Sequence, residues 1–155
     1  MTGTIEILES LDLPANAKVL EVLRGNAPKA PLETPVETAD TWQLGTHPDL
    51  VEYLWQTLGD TLPKPCARVA YAQPVLAAPG TSTIFAFAGG TGTLAMRLPQ
   101  SALGEALRID GFGKTLSYPS AVLHASALGS GWAFVAPFGA DALRWCKEAY
   151  EAAAS

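Results

Sequence analysis

The fold class follows from one segment, Ser82-Thr-Ile-Phe-Ala-Phe-Ala-Gly-Gly-Thr-Gly-Thr-Leu-Ala-Met-Arg-Leu98. β-branched and aromatic residues flank a glycine-dense centre, and glycine supplies the positive φ that tight hairpin turns need. The segment therefore predicts two antiparallel strands, Ser82 to Ala88 and Thr93 to Leu98. A phosphate-binding glycine loop is the alternative. It is disfavoured because no Lys-Ser/Thr pair follows and the loop leads into a strand instead of a helix.

Further strands are predicted on both sides of this hairpin. Short β-rich segments bounded by Pro and Gly occur at Ala67 to Ala72, Val75 to Ala77, Ala121 to Leu128 and Trp132 to Pro137. The connections are of hairpin length, and strands and helices do not alternate regularly. The pattern favours an α+β fold in which an antiparallel sheet packs against helices.

Three helices are predicted around these strands. The first begins at a cap on Thr46, with Pro48 in its first turn and Asp49 as the capping-box acid, and it ends at Gly59. The second runs from Pro99 to about Arg108. The third begins at a cap on Asp141 and ends near Ala153, with a buried stripe of apolar residues at helical spacing: Leu143, Cys146, Ala149, Tyr150 and Ala153.

The N-terminal part of the chain has a different character. Thr4 to Arg24 is predicted to be helical in two pieces that break at Leu13-Pro14, and a strand is the alternative for Lys18 to Leu23. Asn26 to Asp40 contains three prolines and is predicted to be an extended linker. We therefore divide the chain into an extension, residues 1–45, and an α+β core domain, residues 46–155.

Charge supports the same division. The net charge is −5, and residues 1–45 contribute −4 of it, from seven acidic and three basic side chains. Residues 61–120 carry five basic and two acidic side chains, a local balance of +3. That excess is far below the dense Lys/Arg surface of nucleic-acid-binding domains, so nucleic acid is a disfavoured partner.

Composition points to a cytoplasmic protein. No run approaches the ~20 apolar residues of a membrane span, and no basic, apolar leader is found in the first ten residues. The two cysteines, Cys66 and Cys146, match no metal or redox spacing and suit a reducing compartment. Two histidines and two separated cysteines also argue against a structural zinc site, and no cofactor is implied.

Residues that suggest catalysis are few. Cys66 is a nucleophile only if a base lies beside it, and His47 and His124 are the histidines available. His47 falls at a helix start, whereas His124 falls in an apolar run, where a histidine is more often a core or edge residue. Cys146 is expected to be buried and inert on the last helix. We therefore predict no catalytic residue.

A ligand-binding surface is the stronger hypothesis. Trp42 precedes the first core helix, where it either pins the extension to the body or lines a groove. Trp132 begins a strand, where core anchoring is favoured and a place in the groove is the alternative. If Arg97, Arg108 or Lys114 faces the groove, the site would suit an anionic or aromatic small molecule. The candidate ligand-binding residues are Trp132, Arg97, His124, Trp42 and Lys114.

Several segments after Pro48 resemble the MmcQ/YjbR-like family, which includes domains similar to the N-terminal part of the competence regulator TfoX. The similar segments, over about residues 48–153, are Leu62-Pro63, Ile84-Phe85-Ala86, Leu94-Ala-Met-Arg97, Gly131-Trp-Ala-Phe-Val135 and Ala149-Tyr150. The resemblance implies a compact α+β fold, sometimes described as DNA-binding-like, in a family whose members mostly lack an assigned activity.

The sequence thus predicts a non-enzymatic module that binds a protein or small molecule in a groove between sheet and helices. Weak nucleic-acid binding through residues 61–120 is one alternative, and a small enzyme using Cys66 or His124 is another. An uncovered strand edge in so apolar a chain would also favour a homodimer.

Overall fold

The computed structural model describes residues 4–25, 36–37, 46–90, 92–109, 115–117 and 122–155. They form an α+β fold, as predicted, in which helices cover both faces of a five-stranded antiparallel sheet. Two further pairs of short strands lie outside that sheet. The strands are β1 Thr4–Ile5, β2 Val36–Glu37, β3 Ala67–Ala70, β4 Gln73–Ala77, β5 Ile84–Gly89, β6 Thr93–Arg97, β7 Thr115–Ser117, β8 Val122–His124 and β9 Trp132–Phe134.

The predicted central hairpin is confirmed. The strand order is β3-β4-β5-β6-β9, and β5 pairs with β6 from Ala86↔Met96 to Gly89↔Thr93. Gly90 in the turn has φ +56°, which is the backbone conformation that glycine adopts without strain. A β-bulge then changes the alternation of β5, because Leu76 pairs with Ala86 and Ala77 pairs with Ile84. The extra residue, Phe85, therefore faces the same side as Ala86.

The first face of the sheet is covered by helices that follow residue 46. These helical segments are α2 Pro48–Glu52, a π-helical segment Tyr53–Leu58, a 3₁₀ turn Gly59–Thr61, α3 Gln100–Ile109 and α4 Ala142–Ala154. Their buried side chains form one cluster with the sheet, the first-face core, whose helical members include Leu50, Tyr53, Leu54, Trp55, Leu58 and Trp145. The expected first core helix is thus correct in position but changes its winding along its length.

The start of α2 differs from the prediction. The capping side chain is His47, whose Nδ1 accepts a hydrogen bond from the Asp49 N–H at 3.1 Å. Thr46 is buried and donates its hydroxyl to the Ala88 carbonyl instead. The prediction of Thr46 as the cap was wrong because Thr46 lies beside the β5–β6 turn, where the Gly90 carbonyl also accepts the His47 N–H.

The last helix was predicted at the right place, but its buried face was only partly correct. Leu143 is 39% exposed, and Trp145 is buried in its stead. Asp141 occupies the cap position without a side-chain capping bond, because its carboxylate accepts from Arg144 at 2.8 Å. Arg144 also donates to Glu105 of α3 at 2.9 Å, which ties α3 and α4 together at the surface.

The second face is covered by α1 Pro14–Gly25 and a 3₁₀ turn, Ala125–Leu128. Their buried side chains form the second-face core with the sheet: Val19, Leu20, Leu23, Ala125 and Leu128 from the helices, and Trp132, Phe87 and Phe134 among the strand residues. The helical prediction for Pro14 onward is confirmed, and its strand alternative is excluded. The earlier helical piece was wrong, because Thr4–Ile5 is a strand.

Two strand predictions also need correction. Val122–His124 is a strand, but the chain then turns into the 3₁₀ segment, so the expected strand to Leu128 ends four residues early. The strand at Trp132 ends at Phe134, before Pro137. Both shortenings occur where glycines or a proline follow closely and the chain must leave the sheet.

Buried polar groups attach α1 to the sheet. Asn16 is fully buried; its Nδ2 donates to the Ser82 carbonyl, and its Oδ1 accepts from the Ile84 N–H, both at 2.8 Å. The Gln73 side chain donates to the carbonyl of Leu23 at 2.9 Å. Residues 4–25 therefore pack on the sheet, whereas a domain boundary at residue 45 stays a prediction. Among the described residues, no helix is long and apolar enough to span a bilayer.

Candidate ligand-binding cleft

A large cavity bounded by described residues lies at one end of the sheet, where β6 ends and β9 begins. We call it the Arg97 cleft. Its volume is about 550 Å³, and the starts of α1 and α3 and the end of α4 surround it. Among the described residues that line it, Arg97 is the only charged side chain. The remaining lining is small or aliphatic, with hydroxyl and amide groups from Thr83, Gln100 and Ser130.

Arg97 is held by its strand neighbours. It pairs with Trp132 across β6 and β9, and the Leu98 N–H donates to the Gly131 carbonyl at 2.8 Å. Gly131 has φ +90°, and a Cβ there would lie 3.1 Å from the Leu98 carbonyl oxygen and 3.5 Å from Arg97 Cγ. The glycine therefore permits the close approach of the Leu98 backbone, next to Arg97, to the residue that precedes β9.

The guanidinium itself is available. Arg97 is half-buried, and within the described part of the chain its side chain forms no ion pair or hydrogen bond. A guanidinium in a partly enclosed site binds carboxylate or phosphate groups through two parallel hydrogen bonds. Arg97 thus gives the cleft a single positive charge.

The N-terminus of α3 enters the same cleft. Gln100, the first residue of α3, lines it beside Pro99, whose carbonyl accepts from the N–H groups of Ala102 and Leu103 at 2.9 Å. Amide groups at the start of a helix carry partial positive charge and favour an anion. The start of α3 and Arg97 therefore have the same electrostatic sign, whereas the C-terminal end of α4, which also borders the cleft, has the opposite one.

Two of the other predicted residues line a neighbouring hollow. His124 and Trp132 share a hollow of about 330 Å³, which meets the Arg97 cleft at Ser130 and Gly131. Trp132 is 4% exposed, and its ring packs 5.8 Å from that of Phe87, whereas His124 is exposed. The structure thus brings Arg97, Trp132 and His124 to adjoining cavities instead of a single one. Trp42 and Lys114 lie outside the described residues.

The thiols are poorly placed for nucleophilic chemistry. Cys66 is 2% exposed and its Sγ donates to the Lys64 carbonyl, and burial raises the pKa of this thiol to about 11. Burial, followed by the proximity of Cys66, raises the pKa of Cys146 to about 12. Because the thiolate is the reactive form, both cysteines are protonated and unreactive near neutral pH.

Sequence patterns left much of this lining undetected. Thr83, Ser130 and the last turn of α4 come from distant parts of the chain, and no local spacing connects them. One signal was present: Arg97 stands two residues before a proline that starts a helix, so a cation beside a helix N-terminus could have been inferred.

Comparison with known proteins adds no relative. No protein-family model matches the chain, and neither a curated protein nor a solved structure matches it. The similarity to the MmcQ/YjbR-like family therefore stays a prediction.

Proposed function

We propose that this protein is a non-enzymatic binding module that holds a small anionic molecule in the Arg97 cleft. The observation that carries the proposal is a cavity of about 550 Å³ whose described lining contains one charged side chain, a cation. Cavities of ~300–1,000 Å³ with a mostly apolar lining and a few convergent polar groups are typical of ligand sites.

The ligand combines a carboxylate or phosphate with an aliphatic body. Arg97 and the start of α3 face the charged group, while Leu98, Leu103 and the alanines of α4 offer apolar surface to the remainder. Catalysis needs an acid or base near the reacting atoms, and the described lining of the cleft contains no carboxylate or histidine side chain. This absence from the lining favours binding over turnover.

The alternatives have less support. The buried, protonated Cys66 is a poor nucleophile, which weakens an enzyme based on it. Duplex DNA is negatively charged and would be repelled by a chain with a net charge of −5. Two unpaired, buried cysteines suit a reducing compartment, so the module is a cytoplasmic one.

Calorimetric titration of the full chain tests the proposal. The probes are octanoate and hexyl phosphate, with octanol as the neutral analogue. We expect the anions to bind and Arg97→Gln to weaken them at least roughly tenfold, since losing a charged hydrogen bond costs about 1.5–3 kcal/mol. Arg108→Gln is the matched control, because it removes the same charge from the exposed far end of α3.

Three results would contradict the proposal. The first is that Arg97→Gln and Arg108→Gln bind the anions with equal affinity, or that octanol binds as tightly as the anions do. The second is chemical conversion of a bound anion, which would make the protein an enzyme. The third is binding of duplex DNA at low salt that both arginine variants weaken alike, which would favour the nucleic-acid alternative.

A further inference from the structure

A second cavity lies on the first face of the molecule, away from the Arg97 cleft. We call it the Trp55 pocket. Its volume is about 180 Å³, and it opens between the α2–π-helical segment on one side and β1 and the start of β3 on the other. None of its lining residues lines the Arg97 cleft. The apolar part of its lining is Ile5, Pro48, Trp55, Pro65 and Ala67, together with the thiol of Cys66.

The polar atoms of this apolar wall are already engaged within the protein. The Trp55 indole N–H donates to the Val75 carbonyl at 3.1 Å, which fixes the ring, and Trp55 is 6% exposed. The Cys66 thiol donates to the Lys64 carbonyl. A ligand therefore meets the wall through ring and aliphatic surface, without a hydrogen bond to either group.

The rim of the pocket has the opposite character. Glu52, Gln56 and Asp60 are exposed and stand four residues apart. In a regular α-helix, each residue is rotated around the axis relative to the residue four positions before it. The i→i+5 hydrogen bonds of Tyr53–Leu58 add a residue to the turn and reduce this rotation. The altered winding keeps the two carboxylates on the same side as the indole of Trp55.

The two carboxylates are not neutralised within the described part of the chain. Neither Glu52 nor Asp60 forms an ion pair with another described residue, and no basic side chain is among the described residues that line the pocket. Their charges therefore favour a cation at the pocket mouth and repel an anion. An aromatic ring beside the same space further favours a cationic group.

Size restricts the ligand further. A cavity of about 150 Å³ is known to hold benzene in another protein, so a volume of about 180 Å³ admits a single ring or a short chain. From this volume, the apolar wall and the acidic rim, we infer that the Trp55 pocket binds a small organic amine, whose apolar body packs on Trp55 and whose ammonium group faces Glu52 and Asp60. This inference goes beyond the proposed anion site and does not depend on it.

Benzylamine, benzyl alcohol and benzoate test the inference, because they share a ring and differ in charge. Binding to the full chain is followed by Trp fluorescence and by amide chemical shifts of Glu52, Gln56 and Asp60. We expect benzylamine to bind at least about tenfold more tightly than benzyl alcohol, the size of effect that hydrogen bonds to charged groups produce, and benzoate not to bind. The Glu52→Gln/Asp60→Asn variant should bind benzylamine and benzyl alcohol equally.

The control variant Asp12→Asn/Glu21→Gln removes the same charge from exposed positions at and before α1, and it should keep wild-type amine affinity. The inference is overturned if benzylamine does not bind, if benzyl alcohol or benzoate binds equally well, or if the control variant weakens amine binding as much as the rim variant does. Arg97→Gln should leave amine binding unchanged, so failure of one site is distinguishable from failure of the other.

Discussion

The two faces of the five-stranded sheet are covered in different ways. Helices that follow residue 46 bury the first face almost entirely through apolar packing, with both cysteines inside that core. The second face depends on α1, which comes from the acidic N-terminal part of the chain and is also attached by Asn16 and Gln73. A segment that charge and proline content set apart from the body thus covers one face of the sheet, together with the 3₁₀ turn Ala125–Leu128.

The largest test of this comparison is Leu20→Ala on α1. Leu20 is fully buried in the second-face core, and removing such a side chain costs about 2–5 kcal/mol because a cavity remains. We expect urea denaturation to show one transition. The free energy of unfolding should be lower by that amount, which moves the midpoint to a lower urea concentration. Leu11→Ala, the same substitution at a residue 40% exposed, should have little effect.

The opposite outcome would support the predicted boundary. If residues 1–45 form an extension that is independent of the core, Leu20→Ala will leave the main transition unmoved. A second, earlier transition in the wild type would have the same meaning.

The next test concerns the first face alone, which contains both thiols. Their pKa values are raised to about 11 and about 12 from an ordinary value of 9.0, so the folded state binds these protons more tightly than the unfolded state does. The contribution of the two thiols to the free energy of unfolding is then fully present below pH 9 and decreases as pH rises toward 11. The slope is about 1.4 kcal/mol per pH unit for each thiol.

Urea denaturation between pH 8 and pH 10.5 measures this slope. The Cys66→Ala/Cys146→Ala variant provides the control, because other groups that titrate in this range are unchanged in it. Its stability should fall less steeply than that of the wild type. Parallel pH profiles would show that burial of the thiols does not raise their pKa values in solution.

The first face was largely predictable from sequence, and the second was not. Helix-start residues around Pro48 identified the first core helix and glycines identified the hairpin around Gly90, because both signals are local. The packing of α1 on the sheet depends on contacts across more than 60 residues, such as Asn16 with Ser82, and no local pattern encodes them. The change to π-helical winding after Glu52 was not predicted either.

A third test lies at Gly131, where the second face reaches the Arg97 cleft. Its φ of +90° is strained for any residue with a Cβ, and the added atom would lie 3.1 Å from a backbone oxygen. Gly131→Ala should therefore destabilise the protein by about 1–3 kcal/mol and weaken anion binding by shifting the Leu98 backbone next to Arg97. Gly104→Ala is the matched control, because its Cβ meets open space in α3, where alanine is a better helix former.

The same glycine shows why the candidate cleft was only partly predictable. Arg97, Trp132 and His124 were selected from residue type, and the structure places them at adjoining cavities around Ser130 and Gly131. Their separation depends on the register of β6 with β9 and on one positive φ value. Neither quantity is encoded in local sequence spacing, so a single shared groove could not be distinguished from two.

The smallest expected effect is a difference in the loss of stability when either of two tryptophans in the first-face core is replaced. The Trp55 indole N–H donates to the Val75 carbonyl, whereas the buried indole N–H of Trp145 has no hydrogen-bond partner among the described residues. Replacing either by Phe removes a similar volume, but only Trp55→Phe also removes a hydrogen bond. Trp55→Phe should therefore be more destabilising than Trp145→Phe by about 1 kcal/mol in urea denaturation. Equal losses would mean that the indole N–H of Trp145 is also hydrogen-bonded in solution. The buried polar groups of the first face would then be hydrogen-bonded as fully as those that attach α1 to the second face.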